Sequence, residues 1–79
     1  MYWTDVNTTS SATSQKNFFA DATSDIANLP TMTSWGKGPE SPTDPTLNKP
    51  VFKGSSCLVI DTGEVYVLDS DNTWSKLGG

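Results

Sequence analysis

Two apolar runs, CLVI at residues 57–60 and VYVL at residues 65–68, stand only four residues apart near the end of the chain. That spacing constrains the fold more than any other feature. Runs of four apolar residues rich in valine and isoleucine, joined by Asp61-Thr62-Gly63-Glu64, read as two strands of a hairpin. Side chains alternate across a strand, so Cys57 and Val59 share one face while Leu58 and Ile60 share the other. On the return strand Val65 and Val67 form one face, and Tyr66 and Leu68 its opposite. Neither face is polar, so both demand cover.

The turns fit this reading. Gly63 adopts positive φ without steric cost, and Asp61 is placed to bond the amides of a three-residue loop over 61–63. Asp69-Ser70-Asp71-Asn72 supplies a second turn, and residues 73–77 a third short strand. The expected product is a β-meander with strands over 56–60, 64–68 and 73–77.

The rest of the chain is less regular. Tyr2, Trp3 and Val6 favour a strand over 2–6, followed by a Ser/Thr-rich linker. Phe18, Phe19, Ala22, Ile26 and Leu29 fit a helical face, but the adjacent phenylalanines also fit a strand. A strand over 17–21, followed by one helical turn capped by Ser24 and ended by Pro30, is the reading adopted. Residues 31–54 carry four of the five prolines and three glycines, which predicts a long irregular loop. Trp35 and Phe52 are expected to pin that loop by burying their rings. The organisation expected is an N-terminal strand and polar linker over 1–15, a possible tether, and one small β domain over 16–79. The compositions of 1–15 and 36–50 are those of segments that order on binding.

Stability is the difficulty for such a chain. Among 79 residues only 34% are hydrophobic and 21 are Ser or Thr, whereas ordering each residue costs about 1–2 kcal/mol. A disulfide within the chain is impossible with one cysteine, and the absence of histidine argues against zinc or haem. Cover for the second hairpin face is therefore expected from other chains. The fold class expected is mainly β, a small C-terminal meander with a helical turn and a long loop, completed by oligomerisation.

Several functions are disfavoured. The net charge is −4 with five lysines and no arginine, which does not suit a nucleic-acid or anionic-membrane partner. The start of the chain lacks the basic and apolar regions of a signal peptide. Asp61, Glu64, Asp69 and Asp71 read as turn formers and solvated caps. Asp69-Ser70-Asp71-Asn72-Thr73 begins like a calcium loop, but Trp74 occupies the position that needs glycine. Cys57 has no histidine to activate it and reads as an inert buried thiol. GKGPE at 36–40 lacks the spacing of a phosphate loop, and Asn7-Thr8-Thr9 matches a glycosylation sequon without a sign of export. No catalysis, cofactor or metal is expected.

The order of signals carries a resemblance. LPT (Leu29, Pro30, Thr31) precedes a loop, and GSSCLVIDTGEVYVLDSDNTW follows at 54–74. Together they resemble a small β module of bacteriophage virion proteins, of the head-fibre and capsid- or tail-associated type. The resemblance spans about 24–77; the insertion at 32–53 is longer than the module's pattern, and 1–15 matches nothing in it. It implies a non-enzymatic structural or decoration protein of the virion, made in a bacterial cytoplasm and multimeric, with a trimer foremost. Tyr66 and Trp74 would be structural anchors, Trp74 folding back on the hairpin. The residues expected in packing or interfaces are Tyr2, Trp3, Val6, Trp35, Phe52, Leu58, Ile60, Val65, Tyr66, Val67, Leu68 and Trp74. Partners would be further copies of the chain, other virion proteins, and a possible host-surface ligand. Two alternatives are a receptor- or carbohydrate-binding module using exposed aromatics, and a small phage-encoded inhibitor of a host protein.

Overall fold

The computed structural model describes residues 1–4, 15–38 and 47–77. It is mainly β. Five strands form one sheet in the order β1 (Tyr2–Thr4), β2 (Asn17–Ala20), β3 (Ser56–Val59), β4 (Val65–Leu68) and β5 (Trp74–Lys76). A 3₁₀ helix, Thr23–Asn28, follows β2. Pairing is antiparallel except between β2 and β3, where Asn17 to Ala20 run parallel to Ser56 to Val59.

The meander forms as expected, with strand ends one residue shorter. The β3–β4 turn is longer than anticipated. Gly63, at φ 73°, donates its amide to the Val59 carbonyl at 2.8 Å, and the Val59 amide reaches Glu64 O at 2.8 Å. Ile60 therefore belongs to the turn. Its side-chain cap is Thr62, whose Oγ1 accepts from the Glu64 amide at 3.3 Å, in place of Asp61. In the β4–β5 turn, Asn72 takes the left-handed position at φ 63°. Asp69 Oδ1 accepts from the amides of Asp71 at 2.9 Å and Thr73 at 3.2 Å, while Ser75 Oγ donates to Asp69 Oδ2 at 2.6 Å. These bonds hold the Asp69 carboxyl below its ordinary value, the Ser75 bond foremost.

One expectation is corrected here. The helix is capped by Asp25, not Ser24: Asp25 Oδ2 accepts from the Ala22 amide at 3.1 Å, and Ser24 lies inside the helix. Residues Tyr2–Thr4 form an edge strand of the chain's own sheet. The strand that holds Phe18 pairs beside the hairpin, and Leu29 further along packs on the hairpin's closed face. Val6, the sequon at 7–9 and loop residues 39–46 lie outside the described residues.

The parallel pair explains the long loop. Antiparallel neighbours need two residues between them, but parallel neighbours need a crossover of a dozen or more. Residues 21–55 make that connection, and its described parts, 21–38 and 47–55, cover one face of the sheet. Tyr2, Phe18, Ala20, Cys57 and Leu68 on that face pack with Leu29, Leu47 and Val51 from the crossover, and all are buried. Tyr66 and Trp74 pack against this core as anticipated. Phe18 sits between two aromatic rings, edge to face with Tyr2 at 5.6 Å and with Trp74 at 5.9 Å. The indole of Trp74 then donates to the Pro30 carbonyl at 3.0 Å, tying the last strand to the crossover.

Trp35 and Phe52 are not the loop's anchors. They are 59% and 47% exposed, and the smaller Leu47 and Val51 do the burying. The polar part of the attachment is at Tyr2. Its hydroxyl bonds to Asn48 Oδ1 and accepts the Gly38 amide at 3.1 Å, while Asn48 Nδ2 donates to the Gly38 carbonyl at 3.0 Å. Glycine is required there. A Cβ on Gly36 would stand 2.1 Å from the Tyr2 hydroxyl, and one on Gly38 2.6 Å from its ring. The GKG sequence is thus a seat for a tyrosine.

Candidate functional site: the open face of the sheet

The opposite face of the same sheet has no such lid among the described residues. The registers place Trp3 beside Phe19, Phe19 beside Leu58, and Leu58 beside Val65. Leu77, just after β5, extends the row by donating its amide to the Val65 carbonyl at 2.7 Å. One apolar side chain from each strand, or from its end, thus makes a stripe across the whole sheet. Trp3 is 39% and Leu77 56% exposed, and Phe19, Leu58 and Val65 are half-buried. Trp3 and Phe19 stack with centroids 6.0 Å apart and planes inclined by 25°.

A second row, Asn17, Ser56, Val67 and Ser75, lies beside the stripe. Ser56 Oγ donates to Asn17 Oδ1 at 2.9 Å, so two of its polar groups satisfy each other. No strand position on this face carries a charge. Ile60, in the turn beyond Leu58, adds another exposed apolar side chain at 55%. Lys76, the one charged residue in a described strand, pairs with Tyr66 and so lies on the other face. Lys76 Nζ pairs with Glu64 Oε2 at 2.6 Å, and Glu64 Oε1 accepts from Thr62 and Thr23 hydroxyls. The lysine and these hydroxyls hold the Glu64 carboxyl below its ordinary value.

The residues named from sequence therefore divide by face. Trp3, Leu58, Val65 and Val67 lie on the open face, with exposed Ile60 at the turn that follows β3. Tyr2, Tyr66, Leu68 and Trp74 belong to the closed core. Trp35 and Phe52 stand exposed on the crossover. Phe19 and Leu77 complete the stripe and were missed. Phe19 was assigned with Phe18 to one segment, although strand alternation between them puts one phenylalanine on each face.

The buried polar groups of the described residues are satisfied. No buried side-chain nitrogen or oxygen among the described residues lacks a partner, and no cluster of three potential metal ligands occurs among them. Ser55, fully buried, accepts the Lys16 amide at 3.1 Å and donates to the Phe52 carbonyl at 2.7 Å. Cys57 is a free thiol whose burial pushes it up to about 11. No helix of the described residues is long and apolar enough to cross a membrane. No protein-family model matches the chain, and comparison with curated proteins and with solved structures gives no match.

Proposed function

We propose that the protein is a non-enzymatic assembly module, a structural component of a bacteriophage virion, and that its open sheet face is a contact surface. The uncharged stripe from Trp3 to Leu77 carries this reading. Fully burying a valine, leucine or phenylalanine is worth about 1.5–3 kcal/mol, so leaving several of them wet is a loss unless a partner covers them. A charged or polar outer face is what an antiparallel sheet at a water boundary usually carries. The resemblance of LPT and GSSCLVIDTGEVYVLDSDNTW to head-fibre and capsid- or tail-associated modules supplies the virion part of the proposal. Self-association and contacts with other virion proteins are the modes of assembly proposed.

The test is to purify particles from cells lysed by the phage that encodes the chain and measure its copy number by quantitative mass spectrometry. A fixed, symmetric number per particle is expected. Recovery in the soluble lysate alone would overturn the virion reading.

A second reading rests on different residues. Trp35, 59% exposed, presents a flat apolar ring on the crossover. Such a ring suits stacking on a sugar of a host surface. A shift in Trp35 emission on adding glycans, abolished by Trp35→Ala, would favour this reading over the first.

A further inference from the structure

We propose that the open face pairs with the same face of a second copy, about a two-fold axis that lies between the two sheets and runs parallel to β3. This rests on the reading of that face as a contact surface and names its occupant. The first ground is what the chain itself can provide. The stretches outside the described residues, 5–14, 39–46 and 78–79, contain only Val6 and Ala12 as apolar residues besides their prolines and glycines. They carry few apolar side chains to set against five apolar positions, which favours a second copy as the cover.

The second ground is charge. A chain of net charge −4 repels its own copies, and that repulsion is least where neither surface carries charge. The open face is such a surface, with no ionic side chain at any strand position. A face built to meet a cationic partner would present carboxylates; here no described strand position on it is one.

The third ground is shape. The stripe is graded, with stacked Trp3 and Phe19 at one end, Leu58 in the middle, and Val65 and Leu77 at the other. An axis parallel to the strands through Leu58 reverses the order of the partner's row. Trp3 then meets the partner's Leu77, Phe19 meets the partner's Val65, and Leu58 meets the partner's Leu58. Large faces small on both sides of the central leucine pair, which evens the gap between the sheets. An axis along the row would instead set Trp3 on the partner's Trp3 and leave a void between the aliphatic ends. Sheets in such a pair pack about 10 Å apart with strands nearly aligned.

Area sets the strength. Five strands at ~4.8 Å spacing and four residues at ~3.3 Å give a face of roughly 300 Å² in projection, against about 800 Å² per partner in a standard interface. The isolated dimer is therefore weak and reversible, and it tightens when copies are held close on a larger scaffold.

The experiment is sedimentation equilibrium of the full chain up to about 1 mM, a range that captures millimolar affinities, with Phe19→Asp and Val65→Lys variants alone and mixed. Wild type is expected to show a monomer–dimer equilibrium, and each variant to associate at least about tenfold more weakly. An equimolar mixture of the two regains association to within about threefold of wild type, because the introduced carboxylate and ammonium face each other. Cys57 protection from thiol reagents verifies that each variant remains folded. Recovery instead on mixing Phe19→Asp with Phe19→Lys would place like on like and overturn the proposed axis. A wild-type trimer, or a monomer throughout, would overturn the dimer while leaving the virion proposal to the particle analysis.

Discussion

The two faces of this sheet are made by the same strands and differ in what lies over them. Phe18 and Phe19 are adjacent in sequence, yet one is 1% exposed between two aromatic rings and the other lies half-buried on the open stripe. The closed face is covered by the chain's own crossover. That cover exists because β2 and β3 are parallel and a parallel connection must travel back along the sheet. The open face gets no such connection among the described residues, since the links between β3, β4 and β5 are tight turns. Packing is thus concentrated on one side, and the side left over is apolar enough to be a contact surface.

The largest test of this contrast is the pair Phe18→Ala and Phe19→Ala. In the monomer, Phe18→Ala should cost about 3–5 kcal/mol, which for so small a domain approaches complete unfolding. Phe19→Ala should cost about 1 kcal/mol or less by urea denaturation at low concentration. Equal losses would mean that the stripe is covered within one chain. A Phe19→Ala penalty that grows with protein concentration would locate its cover in another copy.

Next comes the seat of the crossover. Gly38→Ala puts a methyl group against the Tyr2 ring and should destabilise by about 1–3 kcal/mol, with a loss of near-UV tyrosine ellipticity. Substitution of Gly63, whose Cβ would meet nothing, is strained only through its φ of 73° and should cost less, about 1 kcal/mol.

The thiol of Cys57 reports the closed face directly. Its value is raised, so the neutral form is favoured in the fold; this contribution is complete below the unfolded thiol value of about 8.5 and is lost as pH rises through about 11. A thiol reagent at pH 8 should leave the native protein unmodified and react fully in urea. Fast reaction without urea would show that the crossover opens.

The smallest effect belongs to the turns. Asp69 and Glu64 have lowered values in the fold, so their contribution is present above the unfolded carboxylate values of about 4 and is lost as pH falls through the folded ones. Thermal melts should be nearly level from pH 7 to about 5 and decline below about 4. Ser75→Ala should lessen the part of that decline due to Asp69, because the Ser75 hydroxyl is the chief cause of its shift.

How much of this was legible beforehand follows the range of each interaction. The meander was readable because its signals are local: apolar runs at 57–60 and 65–68, glycine at 63, and Asp69 before a turn that Asn72 completes. The faces of Cys57 and Leu58 followed from the two-residue period alone. Ser24 was misassigned because a serine and an aspartate side by side compete as caps, and only the actual bond from Ala22 to Asp25 decides. Trp35 and Phe52 were expected inside on size, but the crossover seats Leu47 and Val51 against the sheet and turns the larger rings outward.

The sequence by itself determined the meander, the place of its two turns and the division of its side chains between faces, because each depends on neighbours a few residues away. The tertiary structure alone decided that Asn17 to Ala20 lie parallel to Ser56 to Val59, and so which face the long loop would cover. That choice joins residues 39 apart at Asn17 and Ser56, and no local propensity records it. It is set by which pairing buries Phe18, Cys57 and Leu68 together beneath the crossover, leaving the other face open.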